Sequence, residues 1–153
     1  MIGIDKSVKF LAIIIAVMTV SDSRIEESDR SGAVLVDRLT AAGHNLAEKV
    51  IVPDEFDIIV TKLNEWIKNP SIEVVLATGG TGVTGRDVTP EAFQSVYEKE
   101  IPGFGELFRT LSFQTIKTST IQSRATAGTA GGTYLFALPG SPGACRDAWD
   151  GIL

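Results

Sequence analysis

One cysteine and one histidine are all that 153 residues contain of either type. With Cys145 alone there is no internal disulfide, and that usage fits a reducing, cytoplasmic setting. With Cys145 and His44 as the only thiol and imidazole donors, the composition argues against zinc. Positive charge is also short: 14 Lys and Arg stand against 19 Asp and Glu, a formal net charge of -5. Binding nucleic acid without sequence preference needs a basic face, so no nucleic-acid partner is expected. A phosphate ligand stays open, because backbone N–H groups and a metal ion supply positive field without basic side chains.

Long apolar runs are scarce too. The strongest is "KFLAIIIAVMTV", Lys9 to Val20. It falls below the ~20 apolar residues of a membrane span, so no membrane association is expected. Its length suits a signal-peptide core. Yet the β-branched Ile13, Ile14, Ile15, Val17 and Val20 read better as a buried parallel strand, and no Ala-x-Ala cleavage pattern follows. With 44% hydrophobic and 22% charged residues the composition is that of a globular chain, and no repeat, linker or low-complexity segment interrupts it. The length predicts one domain, 1–153.

What is present alternates. After the first strand and a polar loop, Val34, Leu35, Leu39 and Ala42 recur at helical spacing, with Ser31 as N-cap and Gly43 as the stop. "LAEKVIVPDE" predicts a second strand ending at Pro53. Phe56, Ile59, Val60, Leu63 and Ile67 form one stripe of a helix that Asn69-Pro70 ends. "IEVVLAT" predicts a third strand, and Thr89 reads as an N-cap with Pro90 as the first helical residue. A helix from about Gly105 follows, then the small, polar "TSTIQSRATAGTAGG", a strand in "TYLFALPG", and a helix capped by Ser141 with Pro142 at its first position. His44 falls in a turn, Cys145 packs in the last helix, and Trp66 and Trp149 serve core or subunit contact. Strands that are apolar throughout, alternating with helices, predict an α/β fold: a mostly parallel sheet covered on both faces.

In such sheets ligands bind outside the carboxyl ends of the strands. The loops Ser21–Gly32, Pro53–Glu55, Thr78–Asp87 and Gly140–Gly143 leave those ends. "TGGTG", comprising Thr78, Gly79, Gly80, Thr81 and Gly82, lets the backbone approach a ligand and form an anion nest. It also suits a tight connection with no ligand, but the hydroxyls and the Arg86-Asp87 ending favour a ligand. It is not a Walker A loop, because no Gly-Lys-Ser/Thr follows. Its G-x-G-x-x-G spacing follows the third strand, whereas a Rossmann fingerprint follows the first. Asp87 stands free of the cap that Thr89 makes, and Asp54 is either a turn residue after Pro53 or its partner carboxylate. Two carboxylates and an anion nest suit a magnesium nucleotide. Ser141, Pro142 and Gly143 make a second nest or a plain helix cap. Ser21, Asp22, Ser23, Asp29, Ser31 and Gly32 put hydroxyls and carboxylates at the first strand end, or form only a polar surface loop.

"TVSDS", "DRSG", "VPDE", "GGTG" with "RDVTPEA", and "LPGSPGA" occur in an order that resembles the MoaB/MogA family of molybdenum-cofactor biosynthesis proteins, which includes the gephyrin G domain. The match runs from about Lys9 to Leu153, and "IPGFGELFRTLSFQTIKTSTIQSRA" is similar to the MoaB branch. Some members of that branch lack the first of two aspartates and the activity with it; this chain has Asp54. The resemblance implies a three-layer α/β/α fold and a homo-oligomer, trimer or hexamer. It implies a molybdopterin adenylyltransferase that uses ATP with Mg2+ and releases pyrophosphate. Thr78 to Gly82 and Ser141 to Gly143 would then hold molybdopterin. Asp54 and Asp87 would be the catalytic, magnesium-holding pair. Ser21, Asp22, Ser23, Asp29, Ser31 and Gly32 would face the nucleotide. The competing expectations are a silent molybdopterin carrier and a nucleotide-binding protein unconnected with the cofactor.

Overall fold

β-branched and apolar residues, with Thr19 the one polar member, drive Ile14–Val20 into a strand, β1, whose Ala16, Val17 and Met18 are wholly buried. The structure, a computed structural model, describes residues 5–153; the first four residues of the expected 1–153 domain lie outside it. Arg30–Ala41 forms α1, which Gly43 ends with a positive φ of 92°. Then come β2 (Asn45–Val52), α2 (Phe56–Lys68), β3 (Val74–Thr78) and α3 (Thr89–Val96). β4 (Lys99–Glu100), α4 (Pro102–Ile116), β5 (Thr126–Ala130), β6 (Thr133–Leu138) and α5 (Pro142–Gly151) complete the order.

The six strands lie in the order β2-β1-β3-β6-β5-β4. β2, β1, β3 and β6 are mutually parallel, and β5 and β4 continue antiparallel. On one face Ile59, Leu63 and Trp66 of α2 and Phe93 of α3 close a core over Met18, Val75 and Leu135. On the other, Leu35 and Leu39 of α1, Phe108 of α4 and Cys145 of α5 pack over Val17, Leu76 and Leu138. The sheet is therefore the middle of three layers, as an alternating pattern demands.

Several local expectations change. β2 is an edge strand, more exposed along most of its length than a strand apolar throughout would be. α4 begins at Pro102, earlier than the first apolar periodicity suggests. Asp29, not Ser31, caps α1, accepting the Gly32 N–H at 3.0 Å. Thr89 is the first residue of α3 and caps nothing; its hydroxyl is buried without a partner. Ser141 does cap α5, accepting the Ala144 N–H at 3.1 Å, with Pro142 at the first helical position. Trp66 is a core residue donating to Glu48 at 2.7 Å, and the His44 Nδ1 accepts the Ile13 N–H at 3.2 Å.

β5 is the element the sequence hides. "TAGTA" carries no large apolar residue, because Tyr97 lies flat where a side chain on Gly128 would be. A Cβ on Gly128 would overlap the Tyr97 ring close to its attachment point, which cannot swing away. Gly128→Ala is expected to cost about 1–3 kcal/mol as an overpacked site, read as a Tm several degrees lower in thermal unfolding. Pairing it with Tyr97→Ala should make the two costs clearly non-additive.

Candidate functional site

Parallel pairing aligns the strand ends. Val20 lies opposite Val52, Thr19 opposite Thr78, and Thr78 opposite Leu138. The four loops that follow therefore leave one edge of the sheet side by side. They are tied to each other mostly by side chains. Arg24 of the first loop donates to the Gly140 carbonyl at 2.8 Å and to the Ser31 hydroxyl at 3.0 Å, and Ser31 donates to the same carbonyl at 3.1 Å. Asp22 accepts the Asp54 N–H at 3.0 Å and a two-pronged pair from Arg86 at 2.8 and 3.0 Å.

The glycine loop is built by sterics. Gly79 and Gly80 take φ of 105° and 69°, and a Cβ on Gly79 would run into the Val20 carbonyl. The Gly79 N–H is already used, donating to the Leu138 carbonyl at 2.9 Å. Among the described residues the N–H groups of Gly80, Thr81 and Gly82 have no protein acceptor. They border a cavity of about 690 Å³, which Asp87, Ser141 and Gly143 also line. Its outer wall comes from the end of α4 and the turn after it, with Ser112, Thr115 and Ser119. Arg146, one turn into α5, lines it as well.

The expected site residues thus separate. Gly80, Thr81, Gly82, Asp87, Ser141 and Gly143 reach the cavity. Thr78 does not: it is buried, its hydroxyl donates to the Pro139 carbonyl at 2.8 Å, and it accepts from the Cys145 thiol at 3.3 Å. Burial pushes that thiol up to about 11, so Cys145 is packing, not a nucleophile. Gly79 and Pro142 shape the two loops from outside the cavity lining. Asp29 is committed to protein: its side chain is wholly buried, takes the Thr19 hydroxyl at 2.6 Å, and pairs with Lys49 at 3.0 Å. Burial alone would raise its pKa, but those partners outweigh it and hold the carboxyl below the usual range. Gly32 gives this cluster room, since a Cβ there would meet Lys49 Cε at 2.8 Å. Ser21 and Ser23 fold on themselves, the Ser21 hydroxyl accepting the Arg24 N–H at 3.1 Å. Arg24 and Arg146 escaped sequence reasoning; neither sits in a motif, and only the fold brings them to these loops.

Asp54 and Asp87 are brought together from different loops. Asp54, 9% exposed, accepts the Val88 N–H at 3.2 Å, the amide directly after Asp87. Asp87 accepts from Thr84, its hydroxyl at 2.6 Å and its N–H at 2.9 Å. Burial, then the charges of Asp87 and Asp22, raise the Asp54 pKa, against the Val88 hydrogen bond. Asp22 moves the other way, lowered chiefly by the Arg86 hydrogen bond. The pair fits a hard divalent cation. Its oxygens repel one another, and each borders a glycine: a Cβ on Gly80 would lie 3.1 Å from Asp54 Oδ1, and one on Gly82 2.7 Å from Asp87 Oδ2. No group of three or more His, Cys, Asp or Glu able to cage a metal occurs among the described residues. Two carboxylates with the rest of the shell from water and phosphate is how magnesium is commonly held.

Fold and loops define a class: a parallel α/β protein whose candidate site joins backbone N–H groups to carboxylates at the carboxyl edge of its sheet. Residues 16–153 match the family model described as "Probable molybdopterin binding domain". The chain belongs to that family of molybdenum cofactor biosynthesis proteins. It is 48% identical over 147 residues to molybdenum cofactor biosynthesis protein B of Escherichia coli (strain K12), covering 96% of this chain and 86% of that one. The Bacillus subtilis (strain 168) protein of the same name is 43% identical over 138 residues, covering 90% and 81%. A crystal structure of molybdenum cofactor biosynthesis protein B superposes with a TM-score of 0.90 at 41% identity, over 93% of this chain and 89% of that one. The tungsten cofactor synthesizing protein MoaB from Pyrococcus furiosus does so with 0.81 at 35%, over 91% and 89%. No helix among the described residues is long and apolar enough to cross a membrane.

The raised Asp54 pKa fixes a sign. Ionised Asp54 is disfavoured in the fold, so its charge costs stability above the raised value and nothing below the ordinary 3.8. Asp54→Asn keeps an acceptor for Val88 and removes the charge. It should melt above wild type at pH 7, with the advantage shrinking to nothing as the pH falls toward 3.8 in thermal scans without metal.

Proposed function

We propose that this protein is a molybdopterin adenylyltransferase using ATP and magnesium. The observation that carries the reading is the meeting of Asp54 and Asp87 beside a glycine loop whose N–H groups are unclaimed. Family membership supports molybdopterin as the substrate. Gly80, Thr81, Gly82, Ser141 and Gly143 hold its phosphate with backbone N–H groups and the α5 N-terminus, and the hydroxyl-rich outer wall takes the pterin. ATP lies on the other side of Asp54, toward the first loop, whose Asp22 is held by Arg86.

A phosphate oxygen of molybdopterin attacks the α-phosphorus of ATP. The new P–O bond forms as the bond to the bridging oxygen breaks, and pyrophosphate leaves with the electron pair. The chain's part is to hold attacker, phosphorus and leaving group in line. Asp54 and Asp87 are the residues that would hold magnesium, whose charge when bound neutralises the ATP phosphates. Assembly into a homo-oligomer belongs to the same proposal, supported by Leu107, Phe113, Ile116 and Ile121, which stay exposed along α4 and the turn after it. So does a reducing, cytoplasmic setting, supported by the single, free Cys145.

Asp87→Asn tests the reading. It should bind molybdopterin within a few-fold of wild type and release pyrophosphate at least ~10²-fold more slowly. Full turnover in that variant removes the assigned role of the pair. Tight molybdopterin binding by wild type without pyrophosphate release would make the protein a carrier.

A further inference from the structure

A loop of glycines has no fixed shape of its own, because glycine surrenders more backbone freedom on ordering than any other residue. Something outside the loop must hold it. Within Thr78–Asp87 three successive carbonyls, those of Gly80, Thr81 and Gly82, each accept one hydrogen bond. Gly80 is bonded by the Thr89 N–H at 3.1 Å. The other two are bonded by one residue. The Arg124 main-chain N–H donates to Thr81 at 3.1 Å, and its Nε donates to Gly82 at 2.7 Å. Arg124 also donates from Nη2 to the Asp87 carbonyl at 2.7 Å, and its Nη1 pairs with the Glu91 carboxylate in the first turn of α3.

The direction of those bonds matters more than their number. In a trans peptide unit the C=O and the N–H point opposite ways. Pinning the carbonyls of Gly80, Thr81 and Gly82 turns the N–H groups of Thr81, Gly82 and Val83 the other way. Among the described residues none of those three has a protein acceptor. We propose that Arg124 is the positioning residue of this loop: it fixes the glycine backbone with its N–H groups free for an anion, and fixes the Asp87 main chain with them. The identity of that anion as the molybdopterin phosphate rests on the functional reading above.

The chemistry of the side chain fits the task. Arg124 stands two residues before β5, so it ties the loop to the antiparallel side of the sheet. Its guanidinium spreads over three acceptors on three residues, which a planar fork of five donors can do and a single ammonium cannot. With its charge taken by Glu91 and its remaining reach spent on carbonyls, it is not itself a ligand for substrate. Arg146 also lines the cavity.

The test uses the full chain with Arg124→Ala and Arg124→Lys. The first readout is hydrogen exchange at Thr84 and Asp87, whose amides are protected only by the turn they form with each other. Losing the charged anchor predicts exchange there on the order of ten- to a hundredfold faster in the Ala variant, with β6 unchanged. Millimolar guanidinium should slow it again in Arg124→Ala and leave wild type alone, and Lys should restore it only in part. The second readout is pyrophosphate release: KM for molybdopterin should rise as kcat falls, whereas a residue that only stabilises the fold would lower active enzyme at constant KM. Unchanged exchange at Thr84 and Asp87 in Arg124→Ala overturns the proposal, as does faster exchange spread equally over β6. Wild type that neither binds molybdopterin nor releases pyrophosphate overturns the functional reading instead, and the exchange arm then decides alone for Arg124.

Discussion

Parallel pairing of β2, β1, β3 and β6 is the constraint on which everything else depends. Parallel strands cannot be joined by tight hairpins; each crossover must return the chain to the same starting edge. The carboxyl ends of the strands are then forced to one side, and every loop leaving them becomes a neighbour of the others. Val20 and Val52 end their strands in register, as do Thr78 and Leu138, the two pairs offset by one residue, so residues far apart in the chain are brought together by the sheet. The buried runs that make this register energetically decisive are the two cores over the faces of the sheet.

Charge is handled in two different ways at that edge. Where it builds structure it is neutralised. Asp29 has Lys49 and the Thr19 hydroxyl, Asp22 has Arg86, and Arg124 has Glu91. Buried or half-buried charges without such partners are costly, and a fold keeps few of them. Asp54 is the exception, buried, bonded only by one main-chain N–H, and repelled by Asp87 and Asp22. A carboxylate left in that condition stores a preference for a cation. Perturbed, under-neutralised groups gather where chemistry is done, which is why the proposed function is anchored on this pair rather than on the better satisfied Asp29.

Much of the molecule is legible in its sequence. The largely apolar run at Ile14–Val20 and the Ser141-Pro142 helix start are local signals, set by side-chain shape and hydrogen bonding within a few residues, and they fold as read; the α2 stripe makes its helix and buries Ile59 and Leu63 but leaves Phe56 exposed, with Trp66 in the core. Motif order was legible as well, and the family followed from it. The failures share a cause. β5 is a strand because Tyr97 covers Gly128, a contact made across 31 positions that no window of sequence contains. Thr89 has the chemistry of a cap and does not cap: its own N–H is bonded to the Gly80 carbonyl of the glycine loop, it stands one residue inside α3, and Val88 takes the cap position. Asp29 has the chemistry of a ligand group, but Lys49 of β2 closes over it.

Most element types, the alternation that makes a parallel sheet, the glycine that stops α1 and the family are written in the sequence alone. Those follow from short-range sterics and periodicity, which a chain carries wherever it is. Tertiary structure alone decided which polar groups face the cavity and which are consumed in holding it. That allocation turns on hydrogen bonds such as Arg24 to Gly140 and Arg124 to Gly82, between residues 116 and 42 positions apart. A donor's role is set by the acceptor it finds, and in this protein the decisive acceptors arrive from other loops.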